Sequence, residues 1–191
     1  MREFIQLAGI LTLVSVLSGW ALSYTYTITK PIIEVKRHEK KVAAIAEVLP
    51  AFNNQPEKER VEIPDSQGNP VEFFVGKKDG TPTGVAFRSA TVGYGGKISL
   101  MIGLTPEGKV YGLRVLDQNE TPGLGNKIAQ ESYTKQFLGK ELASSRWEVK
   151  KAGGDFDQIT AATVSSRAIT KGIREGLALY QANAEKILKA N

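Results

Sequence analysis

The chain has 191 residues, with 25 Lys or Arg against 20 Asp or Glu and a formal net charge of +5 at pH 7. At 41% hydrophobic and 24% charged it has the composition of a folded globular chain, which excludes a collagen, a disordered tail and a multi-span transporter. The absence of Cys excludes disulfides, thiol nucleophiles and thiolate-bound zinc or iron–sulfur clusters, and the lone His38 cannot build a multi-histidine site. No metal is therefore expected, no nucleic-acid partner follows from so mild a basic excess, and any redox chemistry requires an organic cofactor.

No residue between Glu3 and Lys30 is charged, and Phe4 to Thr29 reads as one apolar helix. At about 1.5 Å per residue it spans about 39 Å, more than the roughly 30 Å hydrocarbon core of a bilayer. Trp20, Tyr24 and Tyr26 gather at one end, as amphipathic rings do at a membrane interface. A cleaved signal peptide would have a shorter apolar run ending in small residues, so residues 1–30 read as an uncleaved anchor ended by Pro31. Lys30, Lys36, Arg37, Lys40 and Lys41 follow it, an asymmetry that by itself favours a cytoplasmic C-terminal side, although long domains translocate regardless of charge.

Residues 31–70 form an amphipathic helix over Glu34 to Leu49, ended by Pro50, and a polar connecting segment with one short strand at most. From Val71 to Asn191 the pattern becomes that of a folded domain. Strands are predicted over Val71–Val75, Gly84–Ala90, Lys97–Leu104 and Lys109–Leu116. The third is the clearest, because Ile98, Leu100, Ile102 and Leu104 alternate with Lys97, Ser99, Met101 and Gly103. Asn126–Leu138 reads as helix, Arg146–Lys150 as strand, and Val164–Lys189 as a helix whose Ile169, Ile173, Gly176 and Tyr180 share one face. The fold class is α+β: a single transmembrane helix followed by a domain with a mostly antiparallel sheet flanked by helices.

Several motifs dissolve on inspection. Gly103–Lys109 has the glycine and lysine spacing of a P-loop, but Val110 replaces the magnesium-binding hydroxyl, and the Thr105-Pro106-Glu107-Gly108 turn makes a hairpin. Gly123-Leu124-Gly125 lacks the third glycine of a dinucleotide fingerprint. With no GxSxG elbow, and with His38 on a membrane-proximal helix as the single possible triad base, the sequence argues against hydrolase chemistry. Two stretches resist a purely structural reading. In Glu120–Gly125 a proline and two glycines make a rigid turn whose backbone can lie against a planar ligand, or simply join a strand to a helix. In Asp157–Arg167 small residues leave the Thr163 hydroxyl uncrowded at a helix N-terminus suited to a phosphate, unless Thr160 or Thr163 merely caps that helix.

Together Gly93-Tyr94-Gly95-Gly96, Glu120-Thr121-Pro122-Gly123-Leu124-Gly125 and Asp157–Ser166 resemble the FMN-binding domain of the G subunit of the Rnf electron-transport complex. That domain is shared with the C subunit of the sodium-translocating NADH:quinone reductase. The resemblance covers about residues 85–180. It implies FMN joined by a phosphoester bond to the last threonine of a D-x-x-[S/T]-G-A-T pattern, which maps to Thr163. Ala161 stands in place of the usual glycine, a change that is harmless at negative φ and strained in a left-handed conformation. By the same resemblance Glu120, Thr121, Leu124 and Gly125 line the isoalloxazine with Tyr94 and Gly95 nearby. Thr160 and Ser166, with Arg167, stand near the phosphate or ribityl hydroxyls, and Ala162 belongs to the same cofactor-binding stretch.

The implied protein is the flavin-carrying electron-transfer subunit of an ion-translocating ferredoxin:NAD oxidoreductase, with no complete active site of its own. Its implied partners are the other membrane subunits of the complex and a flavin transferase, and its implied place is the cell inner membrane with the domain on the extracytoplasmic side. Two rivals remain: a free-standing membrane-anchored flavin reductase, which would not co-purify with multi-span subunits, and a non-catalytic anchored binding domain, which would carry no flavin mass.

Overall fold

The computed structural model describes residues 1–189. It divides into two units, Met1–Lys40 and the domain from Lys41 onward. The first unit lies within helix α1 (Arg2–Val48) and contains the one helix, among the described residues, that is long and apolar enough to cross a membrane. Pro31 lies inside α1 and does not end it. Proline removes one backbone donor, and the residues on both sides remain helical; the hydroxyls of Thr25, Thr27 and Thr29 meanwhile bond back to the carbonyls of Ala21, Ser23 and Thr25 at 2.8–2.9 Å.

Within the domain five strands, β1 (Arg60–Pro64), β2 (Pro70–Lys78), β3 (Thr81–Val92), β4 (Lys97–Leu104) and β5 (Val110–Asp117), form an antiparallel meander in sequence order. The α+β expectation holds, and so does the Thr105–Lys109 hairpin, whose Thr105 N–H donates to the Lys109 carbonyl at 2.9 Å. Helix α3 (Thr163–Leu188) covers one face of the sheet. Its Ile169, Ile173, Leu177 and Tyr180 pack with Phe73, Phe87, Leu100 and Ile102. Gly176 permits this approach, because a methyl there would overlap the Phe87 ring.

The other face is also buried. Ala44, Ile45 and Val48, from the last turns of α1, and Leu49 just after it pack on Phe74, Ala86 and Met101. β4 is therefore covered on both sides despite its alternating sequence, and the small Gly103 sits where a methyl would collide with the Val48 carbonyl.

Two predicted elements differ. Residues 126–138 are not one helix: Gly125–Ala129 and Lys135–Phe137 are 3₁₀ turns around the short helix α2 (Glu131–Thr134), interrupted by Gln130 in an extended conformation. Ile128, Tyr133 and Phe137 must all reach the core, and the five-residue step from 128 to 133 does not fit one helical face. Residues 146–150 form no strand; only Val149 bridges to Phe156, and Trp147 stacks on Phe137 and lies tilted against Phe156 as part of the core beneath α3. Asp155 holds this loop closed, its carboxylate accepting from the Arg146 backbone N–H at 2.7 Å and from its guanidinium.

Candidate functional site

Three segments far apart in sequence converge where α3 begins. Thr163 is the first helical residue and is half-buried. Neither expected cap forms: the N-cap position falls on Ala162, with no side-chain hydrogen bond, and the first turn contains no acidic residue. The free amides of this 26-residue helix thus have no side-chain cap, and the Glu120 carboxylate reaches the first turn only through the Ser165 hydroxyl.

The turn before the helix is held from within. The Ala162 N–H donates to the Ile159 carbonyl at 3.0 Å. Ser166, fully buried, accepts from the Ile159 N–H at 3.0 Å and donates to the Ala162 carbonyl at 2.9 Å. Ser166 thereby shapes the Thr163 loop, while Thr160 and Arg167 are exposed. Ala161 has φ +62, the left-handed region in which a methyl side chain is strained. Asp157 pairs with Lys150 at 2.8 Å, and its N–H donates to Gln136 at 2.7 Å, tying the motif to the 135–137 turn.

The 120–125 segment turns beside it. The Thr121 carbonyl accepts from the N–H groups of Leu124 and Asn126 at 3.2 and 3.3 Å, and Gly123 supplies φ +76. Thr121 and Leu124 are exposed; Gly125 is buried against Ser165 and Glu120. Tyr94 is 77% exposed, and Val92, Leu124 and Val164 add further exposed apolar surface on the converging segments. Glu120, in contrast, is only 5% exposed. Its carboxylate accepts from Gly95 N–H at 2.9 Å, Tyr94 N–H at 3.3 Å and the Ser165 hydroxyl.

Sequence reasoning missed Ser165, Tyr133 and Asn126. Among the described residues, the Asn126 Oδ1 is buried without a hydrogen-bond partner, and the Tyr133 hydroxyl is buried with no hydrogen bond of ordinary geometry, Ser166 standing beside it. Burial pushes the Tyr133 hydroxyl's pKa up, and Ser166 and Asp157 are the polar groups that face it. No sequence pattern marks these residues, because their roles arise from contacts between distant segments.

The residues present fit a flavin phosphate. An uncapped helix N-terminus, a half-exposed hydroxyl on its first residue and flanking exposed apolar side chains are what such a group requires. Comparison with known proteins agrees. The FMN-binding domain family matches residues 93–178, a span that contains all three converging segments. The G subunit of an ion-translocating oxidoreductase complex from Pseudoalteromonas atlantica is 32% identical across 100% of this chain and 95% of its own. The chain belongs to that G-subunit family. The homologue from Stutzerimonas stutzeri is 39% identical over 153 residues, 76% of this chain and 67% of its own. Among solved structures, the C subunit of the Na⁺-translocating NADH-quinone reductase from Parabacteroides distasonis is 26% identical, with a TM-score of 0.50 over 64% of each chain. Shewanella oneidensis NqrC, at 16% identity and a TM-score of 0.52 over 73% of this chain and 76% of its own, shares the fold.

Proposed function

We propose that this member of the G-subunit family is a membrane-anchored electron-transfer component of an Rnf-type ion-translocating ferredoxin:NAD oxidoreductase, carrying FMN in phosphoester linkage to the Thr163 hydroxyl. The observation that supports this most is the placement of Thr163 as the first residue of a long helix with no cap and no acidic residue in its first turn. Its amides and dipole favour the phosphate's charge there. FMN, when bound, supplies a centre that takes up and passes on electrons. The chain supplies the tether at Thr163, the rigid 120–125 turn and the exposed apolar surface of Tyr94, Leu124 and Val164. An ester at the phosphate prevents the cofactor from dissociating, as suits a relay fixed between neighbouring subunits.

In this reading a flavin transferase installs the group, the apolar part of α1 anchors the chain in the inner membrane, and the domain lies on the extracytoplasmic side among the other membrane subunits. Full-length protein co-produced with the transferase is expected to run as a fluorescent band in a denaturing gel. Thr163→Ala is expected to abolish the band and the corresponding mass on the Thr163 peptide. A dark wild-type band from native membranes would overturn the proposal. Protease added to intact spheroplasts should digest the domain; protection there would place it on the cytoplasmic side.

A further inference from the structure

We propose that Glu120 is a positioning residue: its buried carboxylate ties the 93–96 turn and the 120–125 turn to the first turn of α3, fixing the surface around Thr163 without touching the flavin ring. The flavin part of this inference rests on the function proposed above; the tie itself does not. The resemblance noted in the sequence sets Glu120 against the ring, whereas in the structure both of its oxygens point inward and are taken. Oε1 accepts from the Gly95 N–H at 2.9 Å, and Oε2 accepts from the Tyr94 N–H at 3.3 Å and from the Ser165 hydroxyl. Those partners lie 25, 26 and 45 residues away in sequence.

The glycines around it support the same reading. A methyl at Gly93 would overlap Glu120 Oε1, and one at Gly95 would overlap the Asn119 carbonyl. A methyl at Gly125 would lie 2.8 Å from Glu120 Cβ and 3.0 Å from both Oε2 and Ser165 Oγ. Three glycines of the motifs thus stand where the backbone closes around one carboxylate and its own turn. A carboxylate is suited to this place because it accepts at both oxygens, and backbone amides are strong donors to an ionised acceptor.

Glu120→Gln keeps the shape but replaces one acceptor by a donor. With the amide oxygen in the place of Oε1, the NH₂ group faces the Tyr94 N–H donor to donor, and only Ser165 can rotate to accept from it. A buried donor left unpaired loosens the turn that carries it.

The test uses the full-length protein in detergent, first made without the transferase. Hydrogen exchange of segments 93–96 and 120–125 is compared with β4 as the internal reference. Glu120→Gln is expected to speed exchange in both turns about tenfold or more while β4 is unchanged. Ser165→Ala, which removes one donor and leaves the two amide bonds, is expected to speed it about threefold. It decides the matter alone if the glutamine variant does not fold. Unchanged exchange in the folded variants overturns the tie.

Flavin-carrying protein then reads the positioning role. Glu120→Gln is expected to retain the fluorescent band on Thr163 but to alter the flavin's visible circular dichroism, and Glu120→Asp to restore the wild-type signal in part. Faster exchange with an unaltered flavin spectrum would make Glu120 merely structural and overturn positioning. Wild-type protein that takes no flavin overturns the proposed function and the positioning role with it, while the exchange data still judge the tie.

Discussion

Ala161 is held at φ +62 by the turn that presents Thr163, and a left-handed alanine costs roughly 1 kcal/mol that glycine avoids. Ala161→Gly is expected to raise stability by about that amount in denaturant titrations of the solubilised protein. On the proposed function it should also shorten the time to full flavin attachment, since the loop meets no steric resistance; slower attachment would indicate that the methyl helps to pre-form the turn. Tyr180 makes a second residue-level case. Its hydroxyl donates to the Pro106 carbonyl at 2.8 Å, and burial, with the Glu107 charge adding to it, pushes its pKa up from 10.0 to about 12. The neutral form is therefore favoured by folding: this contribution is complete below about pH 10 and fades as pH rises through about 12. Tyr180→Phe should cost about 1 kcal/mol near neutrality and remove this part of the alkaline loss, which unfolding curves taken between pH 8 and about 12 would report.

Helix α3 depends on close contact with the sheet, and Gly176 is where that contact is tightest. Gly176→Ala should destabilise the domain by about 1–3 kcal/mol, because its methyl cannot enter without moving Phe87. Adding Phe87→Leu should recover part of that loss, a coupling that a double-mutant cycle measures directly. The periodicity of α3 is legible in the chain, since apolar residues at steps of three and four follow from helical geometry alone. The broken 125–137 stretch is not legible, because its helical propensity is overridden by the need to bury Ile128, Tyr133 and Phe137 together. The β4 alternation is likewise read correctly as a strand, yet it hides the burial of Met101 and Gly103 under the last turns of α1.

At the scale of the whole molecule, α1 serves the domain as well as the apolar N-terminal unit. A chain beginning at Lys41 keeps Ala44, Ile45, Val48 and Leu49 over Phe74, Ala86 and Met101, and is expected to fold as a soluble monomer. One beginning at Pro50 exposes that face. Each large aliphatic side chain lost forfeits about 1.5–3 kcal/mol of burial, so the shorter chain should aggregate or melt at much lower temperature in scanning calorimetry. Equal stability of the two would mean that these turns contribute nothing to the domain.

The sequence by itself determined the apolar anchor-length run, four of the sheet's five strands with the 105–109 hairpin, the long final helix and the three motifs on which the resemblance rests. All of these are local: charge-free length, periods of 2 and 3.6, and short runs of specific residues. Tertiary structure alone decided that Thr163 begins its helix uncapped, that Ala161 is left-handed and that Glu120 faces inward to Ser165. The physical reason is that a carboxylate's surroundings are set by whichever backbone amides and hydroxyls the fold brings to it, here from as far as 45 residues along the chain.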